Sequence, residues 1–284
     1  MENKNLIRNI SDTAFWVAVY RANETKRKDR LFSDPLAERL AGEQGKKIAE
    51  SLVGSSKNEW AFVTRTLLFD SFIIDQVTQG ADLVINLAAG LDARPYRLEV
   101  PASLHWIEVD LPDLIHYKTE ILKDEKPRCV LERIALDLAD VEARRTLFQQ
   151  LGRRGRKVLI ITEGLTIYLS SEQVATLAKD LSDQPTFQYW VTDLVSPGLL
   201  KMMMKAVGSQ LTQADVPFKF APPEGPEFFS QYGWRPADVR SMLKTAAKLK
   251  RVGLLFRMLA SLPESKDKQG SRPWSAVCLL EKKS

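Results

Sequence analysis

Short apolar runs punctuate the middle of the chain at Leu83–Leu87, Leu104–Asp110, Cys129–Ala135, Val158–Thr162 and Phe187–Asp193. Each is rich in β-branched or aromatic residues and ends in small or polar ones. Runs of this length read as strands buried on both faces. Between them, apolar residues recur at helical spacing: Asp113–Leu122, Val141–Leu151 and Ser170–Leu181 are predicted helices. Ser170 with Gln173 three residues on has the pattern of a capping box. Strand and helix alternating in this way predict an α/β fold, a doubly wound, mostly parallel sheet with helices on both faces.

Helical spacing dominates before the first strand. Residues 11–24, SDTAFWVAVYRANE, predict a helix capped by Ser11 or Asp12, with Phe15, Val19 and Ala22 on one face. Pro35 opens a second, short helix to about Ala41, and the glycine-rich stretch after it reads as loose. Glu59–Val77 is a strong helix that Gly80 ends. After Asp193 the rhythm breaks. Residues 197–233 hold a helix and a stretch rich in Pro, Gly and Phe, read as a lid insertion over the strand ends. Trp234 and Pro236 precede a predicted helix to about Lys250, and Ser275–Leu280 is a final strand. The expected organisation is a single domain over 1–284. Its parts are an N-terminal helical segment (1–80), a core (81–196), a lid (197–235) and a C-terminal part of the sheet (236–284).

Composition narrows the class without adding to the fold. No apolar run is long enough to span a bilayer, and the polar N-terminus lacks the apolar core of a signal peptide. A cytoplasmic address is therefore expected. Cys129 and Cys278 lie inside apolar runs and read as buried free thiols. With His105 and His116 as the two histidines, no metal centre is expected. The net charge of +5 gathers in clusters such as Lys26–Lys28 and Lys248–Arg251, with no interleaved aromatics. These read as solvated faces, so neither a nucleic-acid nor a membrane partner is expected. The sequence is silent on oligomeric state.

The candidate chemistry sits where the strands end. Leu83–Leu87 runs into Ala88, Ala89 and Gly90, a turn almost without side chains, where a ligand can approach the backbone. Asp92 and Arg94 follow, expected as a local ion pair that holds the turn. Later strands end at Glu108 and Asp110, at Asp137, at Glu163 and at Asp193. All should line one rim, because ligands of such sheets bind at the carboxyl ends of the strands. Asp110 follows Gly90 at the spacing of an acid that binds ribose hydroxyls. A nucleoside cofactor is implied, either a nicotinamide dinucleotide or S-adenosylmethionine. G-x-G-x-x-G is absent, and an acidic rim would repel a pyrophosphate while suiting a sulfonium and an ammonium.

These residues resemble a known family. SDTAFWVAVYRANE at 11–24, LFSDPLAERLAG at 31–42, TRT at 64–66, NLAAGLDARPYRL at 86–98, WIEVDLPDLIHYK at 106–118, ITEGLTIYL at 161–169 and GW at 233–234 occur in family order. The chain is similar to the leucine carboxyl methyltransferase-like family of class I S-adenosylmethionine-dependent methyltransferases, and within it to the bacterial small-molecule O-methyltransferases. The resemblance implies a Rossmann-like methyltransferase fold with S-adenosyl-L-methionine as cofactor. It implies that Arg65 reaches the cofactor carboxylate, that Ala88 and Gly90 border the methionine part, and that Asp110 binds the ribose. It implies further that Asp137 and Leu138 hold the adenine and that Glu163 sits near the ammonium. Many class I enzymes have a glycine where Ala88 stands, which predicts tighter packing there. Tyr20, Arg21 and Tyr168 are candidates to contact the acceptor, a small-molecule carboxylate or hydroxyl; Tyr168 is also a candidate catalytic group, and no other is singled out. A nicotinamide-dependent oxidoreductase and a non-catalytic S-adenosylmethionine-binding protein remain as alternatives.

Overall fold

A computed structural model describes residues 11–51, 58–213, 217–263, 270 and 272–283. Three helices come first: α1 (Asp12–Lys26), α2 (Ala37–Ser51) and α3 (Glu59–Thr78). Then β1 (Leu83–Leu87), α4 (Arg94–Arg97), β2 (His105–Asp110), α5 (Pro112–Ile121), β3 (Val130–Ala135) and α6 (Val141–Gly152) follow. The chain continues through β4 (Val158–Thr162), a 3-10 turn at Thr166–Tyr168, α7 (Ser171–Ser182), β5 (Phe187–Val195) and α8 (Pro197–Gln213). A 3-10 segment (Gly225–Tyr232), β6 (Trp234–Ser241), α9 (Met242–Lys248), α10 (Leu254–Ala260) and β7 (Ser275–Lys282) complete it.

Seven strands form one sheet in the order β3-β2-β1-β4-β5-β7-β6. The first five are parallel, and β7 runs antiparallel between β5 and β6. Every residue of β1 and β4 is buried, as their unbroken apolar runs require. The two-residue period divides their side chains between two cores. Leu83, Ile85 and Leu87 meet Val158, Ile160 and the helices α6 and α7 on one face. Val84, Leu159 and Ile161 meet Phe69, Phe72 and Ile73 of α3 on the other. A third core, around Phe15, Tyr20, Leu40 and Leu114, joins α1 and α2 to α5. This helical layer sits over the strand ends.

Several elements depart from the sequence-based expectation. Neither Ser11 nor Asp12 caps α1: Ser11 is itself helical, and Asp12 Oδ1 accepts from Gln44 Nε2 at 2.6 Å. α2 does not stop at Ala41. It bends at Gly42, whose φ of 54° only glycine adopts freely, and resumes to Ser51. The glycine-rich stretch is thus a kinked helix up to that residue, and 52–57 lie outside the described residues. The helix expected after Trp234 and Pro236 begins only at Met242, as α9, because Trp234–Ser241 is the edge strand β6. Pro236 is tolerated there because its register shifts at a bulge on an edge. The lid expectation divides as well. α8 and Phe218 border the strand ends, but Phe220, Phe228 and Phe229 are buried with Trp190 and Trp234 in the main core. Residues 214–216 of that segment lie outside the described residues, as do 264–269 and 271. The capping box at α7 is present as expected, and both cysteines are free and buried. No described helix is long and apolar enough to cross a membrane.

Candidate functional site

The strand order reverses at β1 and β4, and a crevice opens at their carboxyl ends. Its floor is the turn after β1. Ala88 and Gly90 have φ of 53° and 51°. The left-handed region costs a residue with a Cβ about 1–2 kcal/mol, so Ala88 holds strain at the site. A Cβ on Gly90 would lie 3.3 Å from Ala14 Cβ, so α1 rests directly on the bare backbone.

The acids converge on this floor. Asp110 at the end of β2 accepts the Gly90 N–H at 2.6 Å on one oxygen and the Leu111 N–H at 2.7 Å on the other. A carboxylate offers about four lone-pair sites, so two remain for a ligand. Burial outweighs those two hydrogen bonds and raises the Asp110 pKa above the usual carboxylate value. Asp137 lies exposed on the rim, with Oδ1 held by the Ala139 N–H at 2.9 Å, and Leu138 beside it packs on the sheet core.

Opposite Asp110 lies a chain of buried ion pairs. Arg65 of α3 reaches across 98 residues to Glu163 at 3.0 Å and also to Asp193 at 3.3 Å. Glu163 binds Arg94 at 2.7 Å, and Arg94 binds Asp92 at 2.9 Å and Asp70 at 2.6 Å. Burial alone would raise the Glu163 pKa, but Arg94 and Arg65 outweigh it and hold the carboxyl below its ordinary value. Burial also opposes ionisation of Asp92, yet Arg94 and Lys118 hold it well below the carboxylate range. At Asp193 burial prevails over Arg65, and its pKa is raised. Arg65 spends two of five N–H donors on these acids, leaving three for a ligand. Gly164, at φ 69°, makes room for it: a Cβ there would lie 3.2 Å from Arg65 Nη1.

The crevice encloses about 1680 Å³. A drug-sized ligand occupies a pocket of about 300–1,000 Å³, so this space is large enough for more than one such molecule. Asp110, Asp137, Glu163 and Arg65 are among its polar lining, and Val17, Phe62, Met203, Phe218 and Phe256 are among its apolar lining.

The family model described as "Leucine carboxyl methyltransferase" matches residues 14–182, which carry α1 through α7 and most of this floor and rim. The chain belongs to the leucine carboxyl methyltransferase family. A relative from Parafrankia sp., named "Putative S-adenosyl-L-methionine-dependent methyltransferase", is 29% identical over 267 residues, which are 85% of this chain and 82% of the relative. A protein of the same description from Frankia alni is 34% identical over 172 residues, 58% of this chain and 61% of that one. Among solved structures, a DUF574 family protein from Streptomyces avermitilis superposes with a TM-score of 0.61 at 12% identity, covering 93% of this chain and 96% of that one. A "putative methyltransferase" from Thermobifida fusca gives 0.59 at 16% identity, covering 98% and 96%. These two show the fold alone. As a leucine carboxyl methyltransferase family member, the chain is an S-adenosylmethionine-dependent methyltransferase.

The cofactor's chemistry suits this donor set: lone pairs at Asp110 for hydroxyls, open backbone at Gly90, and acids with a guanidinium for the ammonium and carboxylate of a methionine. Of the acceptor candidates, the family member's α1 presents Thr13, Val17 and Arg21 to the crevice. Tyr20 is on another face of the helix. It is buried between Trp16 and Phe62, with ring centroids 5.9 and 5.0 Å away, and does not border the crevice. Arg21 does border it, but its donors bind Asp34 at 2.9 Å and Leu91 O at 2.6 Å, tying α1 to the turn. Tyr168 faces the crevice and packs on Phe218 at 5.4 Å. Burial raises its pKa above 10.0. His105 and His116 are exposed and outside the crevice. Sequence reasoning missed Asp70, whose signal was an acid inside an apolar helix face. It also read Arg94 as partner to Asp92 alone, where Arg94 joins three acids.

Proposed function

We propose that this methyltransferase transfers the methyl group to an oxygen of a small molecule, with a carboxylate favoured over a hydroxyl. The observation that carries this is that the buried acids of the crevice are already engaged: Asp193 accepts from the Gly164 N–H and Arg65, Glu163 pairs with Arg65 and Arg94, and Asp110 accepts from the Gly90 and Leu111 N–H groups. No histidine borders the described crevice, and its phenol, Tyr168, is held protonated by burial. A carboxylate arrives ionised at neutral pH and needs no base. The cofactor supplies an electrophilic methyl on a sulfonium and leaves as S-adenosylhomocysteine once the acceptor oxygen has bonded to that methyl.

The chain's own contribution is to hold and align. Asp110 takes the ribose hydroxyls with its two remaining lone-pair sites, and the Ala88–Gly90 backbone borders the methionine part. Asp137 and Leu138 flank the adenine. Arg65 takes the cofactor carboxylate with its three remaining donors, and Glu163 faces the ammonium. Tyr168 donates its hydroxyl to the acceptor, and Phe218 and Met203 keep the acceptor end dry.

Calorimetric titration with S-adenosylhomocysteine tests the cofactor assignments. Asp110→Ala removes the ribose acceptor and should weaken binding by at least about tenfold, the worth of one charge-assisted hydrogen bond. Unchanged affinity would overturn the role of Asp110. A cofactor-consumption screen against carboxylic acids and phenols tests the acceptor. Turnover confined to phenols would overturn the preference for a carboxylate.

A further inference from the structure

α10 is apolar around nearly its whole circumference, yet it lies on the surface. Leu254, Leu255 and Met258 are 73%, 68% and 62% exposed, and Leu262 just beyond is 53% exposed. A helix of this composition is normally buried, because exposed apolar surface of this extent is costly. Among the described residues, nothing covers its outward side. Its inward side closes over the ligand space. Phe256, Leu259 and Ala260 of the helix, with Leu262 and Pro263 just beyond it, border the crevice, and Phe256 meets Trp60 with ring centroids 6.2 Å apart.

Along the chain from α9 to Pro263 the charge is of one sign; Glu264 follows, and Glu24 and Asp29 face Arg251 from α1 and the loop after it. From Met242 to Pro263 the chain carries Lys244, Lys248, Lys250, Arg251 and Arg257 and no acid. Arg251 is committed to Glu24 and Asp29. Lys248, Lys250 and Arg257 are exposed and make no ion pair with the described residues. An apolar helix flanked by uncompensated cations matches the headgroup region of an anionic bilayer, where apolar side chains enter the acyl boundary and lysines meet lipid phosphates.

We propose that α10 docks the mouth of the crevice onto an anionic membrane surface. Leu254, Leu255 and Met258 enter the bilayer while Lys248, Lys250 and Arg257 lie at the headgroups. The crevice then opens toward lipid past Phe256 and Leu259. Resting on the proposed methyl transfer to a carboxylate, this makes the acceptor an apolar acid that partitions into membranes. The solvated-face reading of the Lys248–Arg251 cluster is reversed at this one place.

Flotation with vesicles tests it directly. The full chain should rise with vesicles containing one third phosphatidylglycerol in phosphatidylcholine. It should stay behind with pure phosphatidylcholine and be released by high salt, since the cations act through a screened field. Leu255→Glu with Met258→Glu alters side chains that do not border the crevice. That pair should lower vesicle binding by about tenfold or more and leave the calorimetric affinity for S-adenosylhomocysteine unchanged. Lost cofactor affinity in wild type would count against the methyltransferase site, separately from docking. Failure of wild type to float, or equal flotation of the variant, would overturn the proposal. So would sedimentation showing a wild-type dimer that the variant abolishes without any vesicle binding, since the patch would then belong to a second copy of the chain.

Discussion

Ala88 carries a cost that its neighbours make unavoidable. The backbone turns left-handed at both Ala88 and Gly90 so that Asp110 can receive the Gly90 N–H. Glycine at 88 would relieve roughly 1–2 kcal/mol of strain and give back roughly 0.5–1 in chain entropy. Ala88→Gly should therefore stabilise the protein by about 0.5–1 kcal/mol in urea unfolding, and a loss of stability would show that the Ala88 methyl is needed for packing. Glu163 supplies a pH test. Its folded pKa is lowered, so its contribution is complete above the unfolded value and is lost as pH falls through the folded one. Glu163→Gln should be destabilised by roughly 1–3 kcal/mol at neutral pH, because Arg65 and Arg94 each lose a charged acceptor. The gap to wild type should be widest above the ordinary glutamate pKa and shrink as pH falls below it through the lowered folded value. Asp110, whose pKa is raised, acts in the opposite sense in both proteins and cancels from the difference, whereas Asp193 is raised in part by Glu163 itself, so the substitution also eases ionisation of Asp193. A gap that ignores pH would show that Glu163 is not ionised where it sits.

At the scale of elements, the α1–α2 contact decides whether the crevice has a roof. A Cβ on Gly45 would lie 2.8 Å from the Phe15 carbonyl oxygen, an atom that cannot swing away. Gly45→Ala should separate the two helices and cost about 1–3 kcal/mol, less up to about 1 from better helix propensity. Denaturant unfolding reads the stability. A stabilised variant would show that α2 shifts without cost. The same helices show what a sequence can disclose. β1 and β4 were legible because burial on both faces writes an unbroken apolar run, as in Leu83–Leu87 and Val158–Thr162, whereas β3, expected to be buried on both faces, lies at the sheet edge with every residue exposed or half-buried. β6 was not legible, because an edge strand alternates, and Trp234–Ser241 carries a proline and the charges of Arg235, Asp238 and Arg240. The strand-end acids were legible by position. Their partners were not: Arg65 meets Glu163 and Asp193 across 98 and 128 residues, and only the folded sheet brings them together. Tyr20 and Arg21 are adjacent in sequence, so only the phase of α1 against α3 separates the buried ring from the crevice-facing guanidinium.

The whole molecule is a sheet whose ligand crevice is closed on one side by a separate helical layer. Thr13, Val17 and Arg21 reach the crevice from α1, and Arg21 fastens that helix to Leu91 O on the turn. Ligand contacts on the turn should therefore reach α1 through Arg21 and through Ala14, which rests on Gly90. At a concentration about 100-fold above its Kd, S-adenosylhomocysteine should stabilise the fold by about 2.7 kcal/mol if it binds the folded state alone. Hydrogen exchange shows where that stabilisation is felt. Protection should rise at the turn after β1 and at the end of β2, and also along α1, whose amides open only when the helical layer lifts from the sheet. β6, at the far edge of the sheet, should change least. Protection confined to the strand ends, with α1 exchanging as in the free protein, would mean that the helical layer moves independently of the ligand. Entry to the crevice would then have to be controlled from the α8 and α10 side.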